Sequence, residues 1–253
     1  DVVLGNIIGS NNFNLFIILG ISAIIHPLVI KRSTVIKEIP YSLLAAFVIL
    51  ILCNDMLLFN KSNDILNRID GIILLSFFGL FLFYIYRNLH DENLKNKPSE
   101  NIYPVPKTLF LIGAGLTGLI IGGKITVDQA VILSRMMGVS ERIIGLTVVA
   151  AGTSLPELAT SAVAAYRKKS DIAVGNIIGS NIFNIFFILG ISALISPVNF
   201  SITFNTDIIL LIAGTVFLLF FTYTGKKAII DRWEAIILLG AYIVYTFHLI
   251  YSK

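Results

Sequence analysis

The sequence predicts an all-α membrane protein with about eight transmembrane helices. Three observations lead to this fold class: the composition, a series of long apolar segments and a repeated motif. Apolar residues make up 56% of the 253 residues and charged residues 13%, whereas a soluble domain carries about 25% charged residues. The mean hydropathy is +0.88. This composition argues against a soluble globular domain, a disordered chain and a nucleic-acid binder.

Eight apolar segments reach or approach the length of about 20 residues that a membrane-spanning helix needs. The longest polar connection, 88–106, contains three prolines and divides the chain into three spans followed by five. It is the segment that most resembles a linker. We place the predicted spans at residues 2–25, 39–59, 70–87, 107–133, 141–166, 172–195, 205–224 and 232–250.

Lys and Arg are distributed unevenly between the two sets of loops. The loops after the first, third, fifth and seventh spans contain thirteen of these residues, and the loops after the other spans contain five. Because positive residues are enriched in cytoplasmic loops, we predict that the first set, which includes the 88–106 linker, lies in the cytoplasm. The net charge of +4 therefore reflects membrane orientation rather than binding to a polyanion.

The repeated motif lies in the first and sixth spans. Residues 5–27 read GNIIGSNNFNLFIILGISAIIHP and residues 175–197 read GNIIGSNIFNIFFILGISALISP, so 18 of 23 aligned residues are identical at an offset of 170. The copies are five spans apart, an odd number, and therefore cross the membrane in opposite directions. Such inverted repeats are typical of secondary transporters, which bind substrate between the copies near the middle of the membrane. A channel or a membrane enzyme can also contain repeats.

Each copy carries three polar side chains spaced four residues apart, which places them on one face of a helix. All of them offer neutral oxygens that can bind a cation. The alternative interpretation is that Asn and Ser only form hydrogen bonds between helices. The side chains are those of Asn6, Ser10 and Asn14 in the first copy and of Asn176, Ser180 and Asn184 in the second.

The fifth span contains a carboxyl group near its middle, within the segment GTSLPEL. Glu157 at this depth indicates function, because a carboxyl group inside a membrane is costly. Pro156 has no N–H to donate to the Gly152 carbonyl, so we predict a break in the helix that exposes main-chain carbonyls one turn earlier. Together with the hydroxyls of Thr153 and Ser154, these are hard oxygen ligands, suited to Na⁺ or Ca²⁺ and unsuited to Zn²⁺ or copper. The alternative is a kinked helix with a protonated or paired Glu157.

The segment GTSLPEL followed by GNIIGSNIFN resembles the second α-repeat of the calcium/cation antiporter superfamily, most closely its prokaryotic sodium/calcium exchanger branch. The resemblance covers essentially the whole chain and implies a ten-helix fold built from two inverted halves of five helices. Residues 1–87 then form the remainder of the first half, 88–106 the cytoplasmic linker and 107–253 the second half. Because the chain starts inside an apolar segment, we expect the first two helices of the fold to precede Asp1.

The same resemblance implies a set of ion ligands. Glu157 is the central ligand for Ca²⁺ and for competing Na⁺. Some relatives carry Asp where this chain has Asn184, which leaves the charge of the site open. The other implied ligands are Thr153, Ser154, the main-chain carbonyl of Ala150, Ser180, Asn184, Ser10 and Asn14.

The function that the resemblance implies is secondary active antiport of Ca²⁺ against Na⁺ by alternating access. We expect a multi-pass protein of a prokaryotic cell membrane, with no enzymatic reaction and no cofactor. Its partners are the two ions and the lipid bilayer, and nucleic acid is not expected to bind. Proton/Ca²⁺ exchange is the first alternative, followed by a cation channel and by a non-transporting fragment that packs against another subunit. The sequence contains no Walker motif, which argues against ATP-driven pumping.

Overall fold

The computed structural model describes residues 2–54, 64–95, 104–138, 150–224 and 228–251, and nearly all of them are helical. The α-helices are α1 Val2–Asn12, α2 Leu19–Ile25, α3 Ile39–Cys53, α4 Arg68–Lys95, α5 Val105–Met136, α6 Ala150–Thr153, α7 Leu155–Tyr166, α8 Ser170–Ile182, α9 Gly190–Ile195, α10 Phe204–Thr224 and α11 Arg232–Tyr251. Wider π-helical turns occur at Phe13–Ile18, Thr34–Glu38 and Phe183–Leu189. The strands have two residues each: β1 Leu28–Val29, β2 Ile65–Leu66, β3 Val198–Asn199 and β4 Ile229–Ile230.

The predicted membrane fold is confirmed by the length and hydropathy of these helices. The predicted fifth span, 141–166, is described from Ala150 onward, and the predicted eighth span corresponds to the 20-residue helix α11. Six helices in the described part of the chain are long and apolar enough to cross a membrane: Val3–Ile25, Thr34–Cys53, Arg68–Asn88, Val105–Met136, Ser170–Ile195 and Phe204–Tyr223.

The second span begins earlier than the sequence predicts. Its helix starts at Thr34 instead of residue 39, and the predicted end at residue 59 lies outside the described residues. Pro40 cannot donate a main-chain hydrogen bond inside a helix, and the π-helical turn directly before α3 leads into it. Because Thr34 and Val35 are buried, this turn extends the packed face of α3.

The two copies of the repeated motif form helices with the same irregularity. Repeat helix 1 (Val3–Ile25) and repeat helix 2 (Ser170–Ile195) each contain a π-helical turn. The turn begins at the equivalent residues Phe13 and Phe183. Since π-helical turns inside α-helices often lie at functional sites, the shared irregularity draws attention to the polar segment that precedes it in each copy.

The repeat helices are antiparallel, as the inverted repeat predicts. Beyond the end of repeat helix 1, Lys31 Nζ lies 3.1 Å from Asp171 Oδ2 at the start of repeat helix 2. Near the start of repeat helix 1, a Cβ placed on Gly5 would lie 3.5 Å from the ring of Phe204, which follows repeat helix 2. The start of each helix therefore lies beside the end of the other, as a twofold axis in the membrane plane requires.

Two short antiparallel ladders join the first half of the chain to the second. Strand β1 pairs with β4, with Leu28 opposite Ile230. Strand β2 pairs with β3, with Leu66 opposite Val198. Each ladder contains one strand that directly follows a repeat helix and one that precedes α4 or α11, so the inverted relation between the halves extends beyond the repeat helices.

Helices α4 and α11 begin with the same capping arrangement. The Asp70 carboxylate accepts a hydrogen bond from the Asn67 N–H, and the Glu234 carboxylate accepts one from the Asp231 N–H, each at 2.8 Å. In both cases an acidic side chain satisfies a main-chain donor at the start of a helix and lies at the positive end of its dipole. This similarity between residues 65–70 and 229–234 is too short to stand out in the sequence.

Repeat helix 1 lies in the interior, whereas α5 lies at the surface. Leu15 and Leu19 of repeat helix 1 and Phe186 of repeat helix 2 belong to the same buried cluster. In contrast, α5 exposes large apolar side chains such as Phe110 and Ile120, as expected for a helix that faces lipid. The polar side chains of Ser10, Asn11, Asn14 and Asn181 are likewise buried.

Candidate ion-binding site

The helix that carries Glu157 is broken just before it. Ser154 separates α6 from α7, and its N–H donates to the Ala151 carbonyl at 3.1 Å. This hydrogen bond spans three residues, whereas in a continuous α-helix the Ser154 N–H would bond to the Ala150 carbonyl, four residues back. Pro156 falls in the first turn of α7, where a missing N–H is tolerated. The break that the sequence predicts is confirmed.

The break changes the main chain of α6 in two ways. The carbonyls of Ala150 and Gly152 lack their α-helical donors, because Ser154 bonds to a different carbonyl and Pro156 has no N–H. In addition, Gly152 lies so close to α5 that a Cβ on it would overlap the Val127 side chain. Glycine is therefore required here for the approach of the two helices.

Thr153 joins the break to the polar face of repeat helix 1. Its Oγ1 lies 3.3 Å from Ser10 Oγ, and the same hydroxyl donates to Asn6 Oδ1 at 3.2 Å. Ser10 is buried, while Thr153 and Asn6 are exposed. The structure thus brings together two residues of the predicted ligand set, Ser10 and Thr153, from segments that are 143 residues apart.

Glu157 lies in the first turn of α7, where the side chain is half-buried. Its main-chain carbonyl accepts a hydrogen bond from Asn176 Nδ2 at 3.3 Å, and the same amide donates to Ser161 Oγ at 3.0 Å. The carboxylate atom Oε2 is buried without a hydrogen-bond partner among the described residues. A buried carboxylate oxygen that lacks a donor is suited to a cation.

Four asparagines form a symmetric cluster where the two repeat helices cross. Asn11 Nδ2 donates to the Asn181 carbonyl and Asn181 Nδ2 donates to the Asn11 carbonyl, each at 3.2 Å. Asn14 Nδ2 donates to Asn181 Oδ1 at 3.0 Å, and Asn184 Nδ2 donates to Asn11 Oδ1 at 2.9 Å. Each bond in one copy has an equivalent in the other at the 170-residue offset.

Asn11 and Asn181 were missed by the search for side chains spaced four residues apart. A signal for them was present, because both are identical in the two copies and lie three residues before Asn14 and Asn184. Residues three apart also share a helix face. Both side chains are fully buried, at 0% and 1% exposure.

Asn14 is the second residue of the π-helical turn in repeat helix 1. Its carbonyl accepts from the Leu19 N–H, five residues along the chain. Asn184 holds the equivalent position in repeat helix 2. A π-helical turn is wider than an α-helical turn. The regular α-helical geometry is therefore interrupted at Asn14 and Asn184.

Ser154 and Ser180 complete the predicted set. Ser154 is 2% exposed and Ser180 is half-buried, one turn before Asn184. Their hydroxyls form no hydrogen bond within the described ranges of the chain, which leaves both oxygens available. The predicted carbonyl ligand, Ala150, is the first residue of α6.

The chemistry of the site is dominated by neutral oxygen. Among the residues of the predicted set, all of which the structure describes, Glu157 supplies the one carboxylate, and the others offer hydroxyls, amide oxygens or a main-chain carbonyl. In the part of the chain that the structure describes, no group of three or more His, Cys, Asp and Glu side chains could hold a metal ion. Oxygen ligands of this kind suit hard cations such as Na⁺ and Ca²⁺, and a transition-metal site would need nitrogen or sulfur.

Comparison with known proteins gives matches along almost the entire chain. The profile of the family described as sodium/calcium exchanger protein matches residues 1–87 and 107–251. A putative antiporter, CaxA of Alkalimonas amylolytica, is 35% identical over 262 residues that cover 100% of this chain and 79% of CaxA. The sodium/calcium exchanger MaX1 of Methanosarcina acetivorans is 38% identical over 148 residues, which cover 57% of this chain and 41% of MaX1.

The fold also matches a solved structure of the sodium-calcium exchanger NCX_Mj, soaked with Na⁺ and Sr²⁺. The TM-score is 0.74 and the sequence identity 33%, over 96% of this chain and 75% of that one. The inverted repeat, the matching fold and the family profile identify a multi-pass membrane transporter for cations. The chain belongs to the sodium/calcium exchanger family, and the resemblance drawn from its two motifs is confirmed.

Proposed function

We propose that this protein exchanges Ca²⁺ for Na⁺ across the membrane, and that the two ions compete for one site centred on Glu157. Membership of the sodium/calcium exchanger family supports the type of transport. The single observation that carries the assignment of the site is that Glu157 Oε2, beside the helix break, is buried and has no hydrogen-bond partner in the described part of the chain.

The rest of the ligand set is proposed from hydroxyls, amides and a main-chain carbonyl on the broken helix and the two repeat helices. Thr153 and Ser10 already lie in contact, and Ser154 is buried at the break. The proposed ligands lie on the broken helix, on repeat helix 1 and on repeat helix 2, so binding of an ion draws these helices together. The remaining members of the set are the Ala150 carbonyl, Ser180, Asn184 and Asn14.

Competition at a shared carboxylate accounts for obligatory exchange. A Ca²⁺ ion needs six to eight oxygens and a negative charge to offset its dehydration. When Na⁺ ions occupy the same oxygens, Ca²⁺ cannot be bound, so the two ions cross the membrane in separate steps. Access then alternates by movement of surface helices such as α5 against the buried repeat helices. In this proposal the two halves of the transporter are residues 1–87 and 107–253, and the cytoplasmic segment 88–106 joins them.

The test is Na⁺-dependent Ca²⁺ uptake by the purified protein in vesicles. Glu157→Gln keeps an oxygen but removes the charge, and we expect uptake to be abolished while the protein remains monodisperse. The matched control is Asp171→Asn, the same chemical change in an exposed ion pair with Lys31, which should leave uptake near the wild-type rate. Uptake by Glu157→Gln at more than about half the wild-type rate would contradict a role in dehydrating a divalent ion.

Proton/Ca²⁺ exchange is a second candidate, favoured by one observation. No Lys or Arg among the described residues forms an ion pair with Glu157, and a buried carboxyl group without a cation can take up a proton. The two candidates differ in their driving force. Ca²⁺ uptake driven by a pH gradient in the absence of Na⁺ would select proton exchange, and uptake that requires a Na⁺ gradient would select Na⁺ exchange.

A further inference from the structure

The orientation of two amides in the site is fixed by other residues. An asparagine amide has an oxygen that can bind a cation and an NH₂ group that repels one, and a half-turn of the amide exchanges them. Asn14 and Asn184 are proposed ligands, so the usefulness of each depends on which end faces the ion. In both, the NH₂ group is engaged in a hydrogen bond within the asparagine cluster.

In each series of hydrogen bonds, a main-chain carbonyl fixes the orientation of the first amide, and that amide fixes the orientation of the ligand amide. Asn11 must point its NH₂ group at the Asn181 carbonyl, because turning it would place two oxygens against each other at 3.2 Å. This orientation aims Asn11 Oδ1 at Asn184, which can then offer only its NH₂ group in return. The equivalent series starts at the Asn11 carbonyl, passes through Asn181 and ends on Asn14.

The free end of a ligand amide is consequently its oxygen. Asn14 Oδ1 is buried and has no hydrogen-bond partner among the residues that the structure describes. Buried polar atoms normally have a partner, so this oxygen is held available in the same way as Glu157 Oε2. Asn11 and Asn181 are fully buried, so water cannot replace the hydrogen bonds that their amides would lose on turning.

We propose that Asn11 and Asn181 are positioning residues that set the cation affinity of the site by holding the amide oxygens of Asn184 and Asn14 toward the ion. The inference rests on the proposed function in taking Asn14 and Asn184 as ligands. It assigns a separate role to the two asparagines of the repeat that do not touch the ion. The competing interpretation is that Asn11 and Asn181 only hold the crossing helices together.

The test is a pair of double-mutant cycles, measured as equilibrium Ca²⁺ binding by the purified protein. Asn11→Ala frees the Asn184 amide to turn, and we expect the dissociation constant for Ca²⁺ to rise about tenfold, in line with the loss of a buried hydrogen bond. In an Asn184→Asp background the same substitution should not weaken binding. A carboxylate presents oxygen in either orientation, and removing Asn11 Oδ1 also removes an oxygen that would lie 2.9 Å from it.

The second cycle combines Asn181→Ala with Asn14→Asp and should give the same pattern, because the two series are related by the inverted repeat. It keeps the inference testable if one pair of variants fails to fold. Loss of affinity that is equal in the Asn and Asp backgrounds would overturn the positioning role and leave a structural one. Glu157→Gln is measured alongside: if it binds Ca²⁺ like the wild type, the proposed ion site itself is wrong, whatever the cycles show.

Discussion

Gly71 and Gly190 lie so close together that a Cβ placed on Gly71 would stand 2.8 Å from the Gly190 carbonyl oxygen. The reverse contact has an equivalent in the other copy of the repeat: a Cβ on Gly190 would lie 3.3 Å from the Gly71 carbonyl oxygen, and a Cβ on the corresponding Gly20 would lie 3.3 Å from the Ala235 carbonyl oxygen of α11. Repeat helix 2 is therefore packed against α4, and repeat helix 1 is packed in the same way against α11. Small residues are needed where helices in a membrane approach this closely.

Substitution of Gly71 tests this contact. We expect Gly71→Ala to lower the stability of the protein by about 1–3 kcal/mol, because the new methyl group meets main-chain atoms that cannot move aside. The measurement is the midpoint of thermal unfolding in detergent. Gly79→Ala is a matched control on the same helix, since a Cβ there meets no described atom within 4 Å. Equal midpoints for the two variants would contradict the close approach of α4 and repeat helix 2.

The hydroxyl of Thr153 is expected to act in Na⁺ binding. Thr153→Val keeps the shape of the side chain and removes the oxygen that contacts Ser10. We predict that the Na⁺ concentration for half-maximal Ca²⁺ exchange rises about threefold to tenfold, the cost of losing one polar contact. Thr215→Val is the control, because the buried Thr215 hydroxyl donates to the Leu211 carbonyl of its own helix and to no other group that the structure describes. An unchanged Na⁺ dependence in Thr153→Val would remove Thr153 from the ligand set.

Asn54 and Asn205 form a reciprocal amide pair between the end of α3 and the start of α10, with hydrogen bonds of 2.8 and 2.7 Å. Asn54→Ala should destabilise the protein by about 1–3 kcal/mol, because it leaves the partner amide unpaired in a part-buried site. The double variant Asn54→Ala/Asn205→Ala should cost less than the sum of the single variants. Thermal midpoints that add without coupling would show that the pair contributes nothing as a unit.

The direction of each span is predicted from the loop charges and can be measured by labelling. Arg167→Cys should react with a membrane-impermeant maleimide only from the cytoplasmic side, and Ser196→Cys only from the outside. The native Cys53 is buried and should not react, so the unsubstituted protein is the control. Labelling of both positions from the same side would be incompatible with a span between them and with the inverted repeat.

Much of the fold could be predicted because its signals are local. Long apolar segments identify the spans, since the bilayer requires a length of about 20 residues. Identity between residues 5–27 and 175–197 identifies the inverted repeat. Pro156 identifies the helix break, because the missing donor acts on a carbonyl only four residues away. None of these inferences needs a contact between distant parts of the chain.

The candidate site was only partly predictable from the sequence. A spacing of four residues indicates which side chains share a helix face, but it does not show which of them meet the other copy. Asn11 and Asn181, absent from the predicted ligand set, lie at the centre of the crossing. The π-helical turns beginning at Phe13 and Phe183 were also not predicted, because apolar residues of the kind that form them are equally common in α-helices.

The sequence by itself determined that this chain is a membrane protein with an inverted repeat and a carboxyl group beside a broken helix, because hydropathy, identity and proline geometry are properties of short segments. Only the tertiary structure decided how the copies meet. Asn11 bonds to Asn181 instead of to a neighbour 3 or 4 residues away because the antiparallel crossing brings together groups 170 residues apart. Hydrogen bonds between buried amides depend on distances of about 3 Å, and such distances are set by the packing of whole helices.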